Sequence, residues 1–212
     1  SLGAIIFALV IFCSYGFKPA FLIKEGSGQL KETVQENKKI IGAQYSDQSY
    51  FLSAIKQMRA EIISVEVSGL IVPHHLLAKD IMAAAFAGLR EKNYKKIILL
   101  SPDHFQLGKT PISATDRNFS TVFGEIKTDD ILVERIKELP FVSEGDFFYR
   151  EHGLGAELPF IKYYFPGAAI TALTFKPTAS KVELDQLVEL LKKELAPDSL
   201  IIQSTDFSHY LE

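Results

Sequence analysis

Residues 69–105 constrain the fold more than any other stretch, because they have the pattern of a strand, a helix and a second strand. The apolar runs at 70–72 and 97–100 each end at a proline, and apolar residues between them recur at helical spacing. Strands joined by such a helix pair in parallel through a right-handed crossover, so their carboxyl ends share one edge of the sheet. Because His74 and His104 follow the two prolines, we expect them to meet at that edge, where open α/β sheets carry their sites.

The rest of the chain extends this pattern. Apolar strands are predicted at 169–175 and 200–203, with a helix at 182–195 between them, and the last strand runs into a loop that carries Asp206 and His209. We therefore predict a three-layer α/β/α sandwich with a mostly parallel central sheet. The remaining patterns predict helices at 47–58 and 129–139, and strands at 63–67, 111–114 and 121–126.

Composition limits the partners and the kind of site. The 212 residues, 47% of them hydrophobic, are enough for one sizeable core. A net charge of −3, with Lys and Arg scattered along the chain, gives no reason to expect a nucleic-acid partner. Cys13 is the single cysteine, so a metal site must be built from histidine and carboxylate side chains.

The first residues form an uncharged apolar run that ends at Lys18. We predict that 1–17 is a membrane anchor or signal segment forming an N-terminal apolar helix, with a buried core helix as the alternative. The polar stretch that follows predicts a linker at 18–46, and 47–212 is the predicted α/β domain. This organisation predicts a membrane-anchored protein, with the extracytoplasmic side favoured.

The five histidines of the chain are concentrated near the predicted carboxyl edge of the sheet: His74, His75, His104, His152 and His209. A lone histidine is more often structural, but this set together favours a metal site, because neutral imidazole is the commonest metal ligand. Asp103 or Asp206 could ligate the metal or orient an imidazole, although Asp206 could also cap a helix. We expect His75 to face away from the site and to take part in packing.

Four motifs carry a resemblance to a known family: Val72-Pro73-His74, Ser101-Pro102-Asp103-His104, Glu151-His152 followed by Glu157-Leu158-Pro159, and the run at 204–210. In order and spacing they resemble the Memo family, whose bacterial and archaeal members are called AmmeMemoRadiSam system protein B. The resemblance covers roughly residues 60–212. The family is similar in fold to the class III extradiol ring-cleaving dioxygenases, which use a non-haem Fe(II).

The resemblance implies a role for each site residue. His74 and His104 would be metal ligands for Fe(II) or Cu. The implied catalytic residues are His209, Asp206 and His152: His209 is at the position that resembles the dioxygenases' acid/base histidine, Asp206 lines the same pocket, and His152 is an accessory pocket residue.

This sequence departs from the family pattern at several positions. The family usually has alanine and glycine where this chain has His75 and Leu76, and histidines where it has Phe105 and Glu157. The third ligand, a cysteine in Memo proteins and a glutamate in the dioxygenases, lies beyond the motif that ends at Tyr210. We therefore expect a chain cut at both ends that offers two metal ligands and no third.

Three functions fit this reading. The first is a metal-dependent, dioxygenase-like oxidoreductase of unknown substrate, in which His209 moves a proton. The second is a metal-assisted hydrolase, and the third is a non-catalytic regulatory module that binds a metal or a peptide. The expected partners are an unidentified small molecule or peptide, the membrane and, by family resemblance, a radical SAM protein and an AMMECR-type protein.

Overall fold

The computed structural model describes residues 40–206. Within them the helices are α1 Gln48–Gln57, α2 Lys79–Gly88, α3 Asp130–Lys137, α4 His152–Gly155, α5 Leu158–Tyr164 and α6 Lys181–Glu194, with 3-10 turns at Leu76–Ala78 and Phe148–Arg150. The strands are β1 Gly69–Pro73, β2 Lys96–Pro102, β3 Ile112–Ala114, β4 Phe119–Thr121, β5 Gly124–Ile126, β6 Val142–Glu144, β7 Ala169–Phe175 and β8 Ser199–Thr205.

The central sheet has the order β1-β8-β2-β7-β3-β6. Its pairs are parallel except β3 with β7, which is antiparallel. The mostly parallel sheet predicted from the sequence is therefore confirmed. Because β1, β8 and β2 are parallel neighbours, Pro73, Thr205 and Pro102 all end at one edge of the sheet, which carries the loops with His74, Asp206 and His104.

Helices cover both faces of this sheet. On one face Phe51 of α1, Phe86 of α2 and Phe160 of α5 are buried, and the Phe160 ring centroid lies 5.4 Å from that of Phe51 and 5.8 Å from that of Phe86. On the other face, Leu132 of α3 and Leu187 of α6 pack in a second apolar cluster. Strand β2 contributes alternate residues to the two clusters, as a strand between two layers must.

Side-chain caps fix three of the helix starts. Asp47 accepts a hydrogen bond from the backbone N–H of Ser49, and Asp129 accepts one from that of Leu132. Ser180 forms a reciprocal capping box with Glu183 at the start of α6. The helices predicted at 47–58, 129–139 and 182–195 are confirmed, with ends that differ by one or two residues.

One strand prediction is wrong, and a second is right only in part. Residues 63–67 alternate like a strand but have no ladder partner, and Val65 is 65% exposed. The predicted strand at 121–126 is right only for β5 at 124–126. Thr121 instead ends β4, and its hydroxyl closes the turn between the two strands by accepting from Phe123 N–H and donating to the Gly124 carbonyl. Gly124 has a φ of 114°, which favours glycine.

The predicted membrane anchor at 1–17 lies outside the described residues. Among residues 40–206, none of the helices has both the length and the apolar character needed to cross a bilayer. The predicted linker is described only from residue 40 onward. There the buried Ile41 pairs with Phe119, donating to the Asn118 carbonyl and accepting from Ser120 N–H.

Candidate metal centre

Three histidines come together at the carboxyl edge of the sheet. His74 follows β1, His104 follows β2, and His152 is the first residue of α4. Their ring centroids lie 4.8 Å apart for His74 and His104, 5.2 Å for His74 and His152, and 4.1 Å for His104 and His152. One nitrogen from each lies within 4.8 Å of the other two, close enough for a single ion to bind all three after small side-chain rotations.

A buried carboxylate holds His104. The Nδ1 atom of His104 lies 2.5 Å from Glu151 Oε1, and the backbone N–H of His104 donates to Oε2 at 3.1 Å. Glu151 is completely buried and also accepts from Gly153 N–H at 3.1 Å. Since an ionised carboxylate only accepts, the His104 proton lies on Nδ1 and the lone pair of Nε2 is left for a metal.

A hydroxyl holds His74 in the same tautomer. Nδ1 of His74 lies 2.9 Å from Oγ of the buried Ser204, and that hydroxyl donates to the Gly153 carbonyl at 2.6 Å. Because the single Ser204 proton is used by Gly153, Ser204 must accept from Nδ1–H of His74. His74 therefore also presents the lone pair of its Nε2.

Asp206 lies between these two presented nitrogens. Its Oδ1 is 2.9 Å from His74 Nε2 and its Oδ2 is 3.5 Å from His104 Nε2. Apart from this carboxylate, both Nε2 atoms are buried without a hydrogen-bond partner. A buried, unsatisfied nitrogen is costly, and a cation bound between the imidazoles would satisfy both. The three imidazoles thus fit a metal ion, and the Asp206 carboxylate lies beside two of them.

The three histidines differ in their tendency to hold a second proton. Burial lowers the pKa of His74 to about 4, and it also lowers the pKa of His152, so both imidazoles are neutral at pH 7. The hydrogen bond to Glu151 raises the pKa of His104, outweighing burial. Burial would raise the pKa of Glu151, but the hydrogen bonds from His104 and Gly153 outweigh it and lower that pKa. Metals bind neutral imidazoles, so His74 and His152 are ready to bind, whereas a cation that binds His104 must compete with a proton on its Nε2.

Of the other residues considered for the site, Asp103 and His75 do not join the histidine cluster. Asp103 neither ligates nor orients a histidine, because its carboxylate accepts from Leu107 N–H at 3.0 Å and from Gly108 N–H at 2.7 Å and so shapes its own loop. His75 lies away from the cluster, as predicted, but it is exposed and caps a 3-10 turn. His209 lies outside the described residues.

His152 takes a larger part than the sequence indicated. It was predicted as an accessory residue, yet its imidazole belongs to the group of three that could hold a metal ion, whereas the chain was expected to offer two ligands. Sequence reasoning also missed Glu151 and Ser204. The signal for Glu151 was its place in a titratable stretch surrounded by aromatic residues, a setting in which a carboxylate needs a partner.

Comparison with known proteins identifies the family of this chain. A family model described as Memo-like protein matches residues 37–212. A MEMO1 family protein of Aquifex aeolicus is 30% identical over 153 residues, covering 69% of this chain and 56% of the relative. MEMO1 family proteins of Caldivirga maquilingensis and Pyrococcus furiosus are 26% and 25% identical, covering 74% and 82% of this chain and 56% and 64% of their own lengths. The chain spans somewhat over half the length of these relatives, and it belongs to the Memo family.

Proposed function

We propose that this protein binds a metal ion through His74, His104 and His152, with Asp206 as a fourth, carboxylate ligand. The observation that carries the proposal is the pair of buried Nε2 atoms, on His74 and His104, that lack hydrogen-bond partners and face the same carboxylate. Buried polar atoms are nearly always satisfied, so two unsatisfied atoms beside a third imidazole favour a shared cation.

We propose Fe(II) or Cu as the bound metal. Imidazole suits iron, copper and zinc, and a set of imidazoles with a carboxylate is the kind that non-haem iron proteins use. Such a metal would supply Lewis-acid and redox chemistry to a bound small molecule. We therefore propose a dioxygenase-like oxidoreductase as the activity of this centre.

The chain's own residues support a small aromatic or anionic substrate. The side chains of His104, His152 and Asp206 are 19%, 35% and 25% exposed, so a ligand can approach from their side. At this opening the exposed Phe105 ring lies 6.3 Å from the His152 ring, and the Arg150 guanidinium lies 5.3 Å from the centre of the Phe105 ring. An aromatic face beside a cation can position a catechol-like ring and favour its ionised form. Asp206 can accept a proton from a substrate hydroxyl.

The same opening also fits a regulatory module that binds a metal or a peptide without turnover. Phe105 is 48% exposed, and an exposed aromatic residue beside a pocket is a typical anchor for a peptide. This second function uses the same metal ligands, so only an activity measurement separates the two. The membrane attachment and the association with a radical SAM protein and an AMMECR-type protein stay predictions.

Metal analysis tests the proposal. The wild-type protein and its His74→Ala, His104→Ala and His75→Ala variants are loaded with Fe(II) or Cu(II), desalted and analysed for metal. We expect stoichiometric metal in the wild type and in His75→Ala, which alters only an exposed cap, and loss of metal in the other two variants. Equal metal content in all four proteins would contradict the proposal.

Oxygen uptake by the loaded wild type with catechol then separates the two functions. Consumption that disappears in His74→Ala supports the oxidoreductase. Stoichiometric metal without oxygen consumption across a panel of catechols favours the regulatory module.

A further inference from the structure

Three residues at the start of α4 each belong to the histidine cluster or contact a residue of the cluster or its hydrogen-bond partner. Glu151 binds His104 through Nδ1, His152 belongs to the cluster itself, and the Gly153 carbonyl accepts from the Ser204 hydroxyl that holds His74. The Gly153 N–H also donates to Glu151, which ties the first and last residues of this tripeptide together. Three consecutive residues therefore influence ligands that come from β1, β2 and α4.

Each of these contacts selects a tautomer or an orientation. Glu151 keeps the proton of His104 on Nδ1, and the chain from His74 through Ser204 to the Gly153 carbonyl does the same for His74. In both rings the atom left for the cation is then Nε2, which is buried and has no hydrogen-bond partner. Without these acceptors, either ring could carry its proton on Nε2 and lose the ability to bind a metal there.

Close packing fixes the distance between this tripeptide and strands β2 and β8. A Cβ atom on Gly153 would clash with Ser101 Oγ of β2 and would lie 3.2 Å from Ser204 Oγ of β8. Only glycine lets the backbone approach the two strands closely enough for its carbonyl to accept from Ser204. The position of α4, and with it that of His152, is thereby set by the same strands that carry the other two histidines.

We infer that Glu151, His152 and Gly153 are the positioning segment of the metal centre, and that Glu151 and Ser204 are positioning residues acting through His104 and His74. The inference rests on the proposed metal centre. It predicts that removing either acceptor weakens metal binding and alters the ligand field, although neither residue touches the metal.

The test uses Co(II) and Zn(II) as probes with the 212-residue chain. Visible absorption of the Co(II) complex reports the ligand field, and competition against Zn(II) gives the affinity. The variants are Glu151→Gln, Glu151→Ala and Ser204→Ala. Glu157→Gln is the matched control, because Glu157 is another completely buried glutamate of the same region but has no hydrogen bond to a histidine. Circular dichroism verifies that each variant is folded.

We expect Glu151→Ala and Ser204→Ala to raise the Kd for Zn(II) by about 10- to 100-fold and to shift the Co(II) spectrum. Glu151→Gln should have a smaller effect, because its amide oxygen still accepts from Nδ1–H. Unchanged affinity and spectrum in a folded Glu151→Ala or Ser204→Ala variant would overturn the inference, and so would an equal loss of affinity in Glu157→Gln. Absence of Co(II) and Zn(II) binding by the wild type would instead refute the metal centre itself.

Discussion

Glu157 makes the stability of this protein depend on pH in a way that one substitution can isolate. Its side chain is completely buried, and neither carboxyl oxygen has a hydrogen-bond partner. Burial raises the pKa of Glu157 well above its ordinary value of 4.5, because the ionised form is poorly solvated there. The native protein therefore holds this proton at pH values where the unfolded chain has released it.

The sign and size of the effect follow from proton linkage. Because the native pKa is raised, the contribution of Glu157 to stability is fully present below pH 4.5 and is lost as the pH rises toward the native pKa. The loss amounts to about 1.4 kcal/mol for each pH unit in that window. Glu157→Gln keeps the shape of the protonated acid but cannot ionise, so its stability should lack this slope.

Urea unfolding followed by circular dichroism, at half-unit steps from pH 4.5 to 7.5, measures this difference. We expect the free energy of unfolding of Glu157→Gln to exceed that of the wild type by a margin that grows with pH. The exposed Glu138→Gln is the control for removing a surface carboxyl. Parallel pH profiles for wild type and Glu157→Gln would refute the reasoning, because they would mean that Glu157 ionises in the native state without penalty.

Three further perturbations give measurable outcomes. Zn(II) at 100 times its Kd should stabilise the wild type by about 2.7 kcal/mol and raise its Tm by roughly 5–10 °C in a thermal scan. The Tm of His74→Ala should not change. Equal Tm shifts in the two proteins would argue against His74 as a ligand. Gly153→Ala should lower both the free energy of unfolding and the Zn(II) affinity, because the new methyl group clashes with Ser101, and a variant with wild-type values would show that the close approach is unimportant. Ser180→Ala should cost about 1 kcal/mol in urea unfolding by removing the capping box of α6 while leaving Zn(II) affinity unchanged, and no loss of stability would show that the cap is dispensable.

Sequence patterns predicted the parts of the fold that depend on local rules. The apolar runs of β1, β2, β7 and β8 are long enough to be recognised, and the right-handed crossover placed His74 and His104 at one edge. The antiparallel β3 was not predicted, because a three-residue strand has too few positions to show its direction. The strand predicted at 63–67 was wrong because an alternation of apolar and polar residues forms a strand only where a neighbouring strand is available for pairing.

The site could likewise be predicted only where local rules bring its residues together. Histidines that follow strands were found, since the topology alone brings them together. The contact of Glu151 with His104 joins residues 47 positions apart, and the contact of Ser204 with His74 joins residues 130 apart. Such pairings depend on how α4 packs over the sheet, which no local pattern encodes. The same limit explains why Asp103, next to His104 in sequence, was a wrong choice for its carboxylate partner.

The ligand set of the bound metal tests the central claim most directly. X-ray absorption at the zinc edge of the Zn(II)-loaded protein reports the number of imidazole ligands and their distances. Three imidazole nitrogens at about 2.0–2.1 Å, with an additional oxygen ligand, are the result expected for His74, His104, His152 and Asp206. A first shell with fewer than three imidazoles, or a spectrum unchanged in His104→Ala, would contradict the proposed centre.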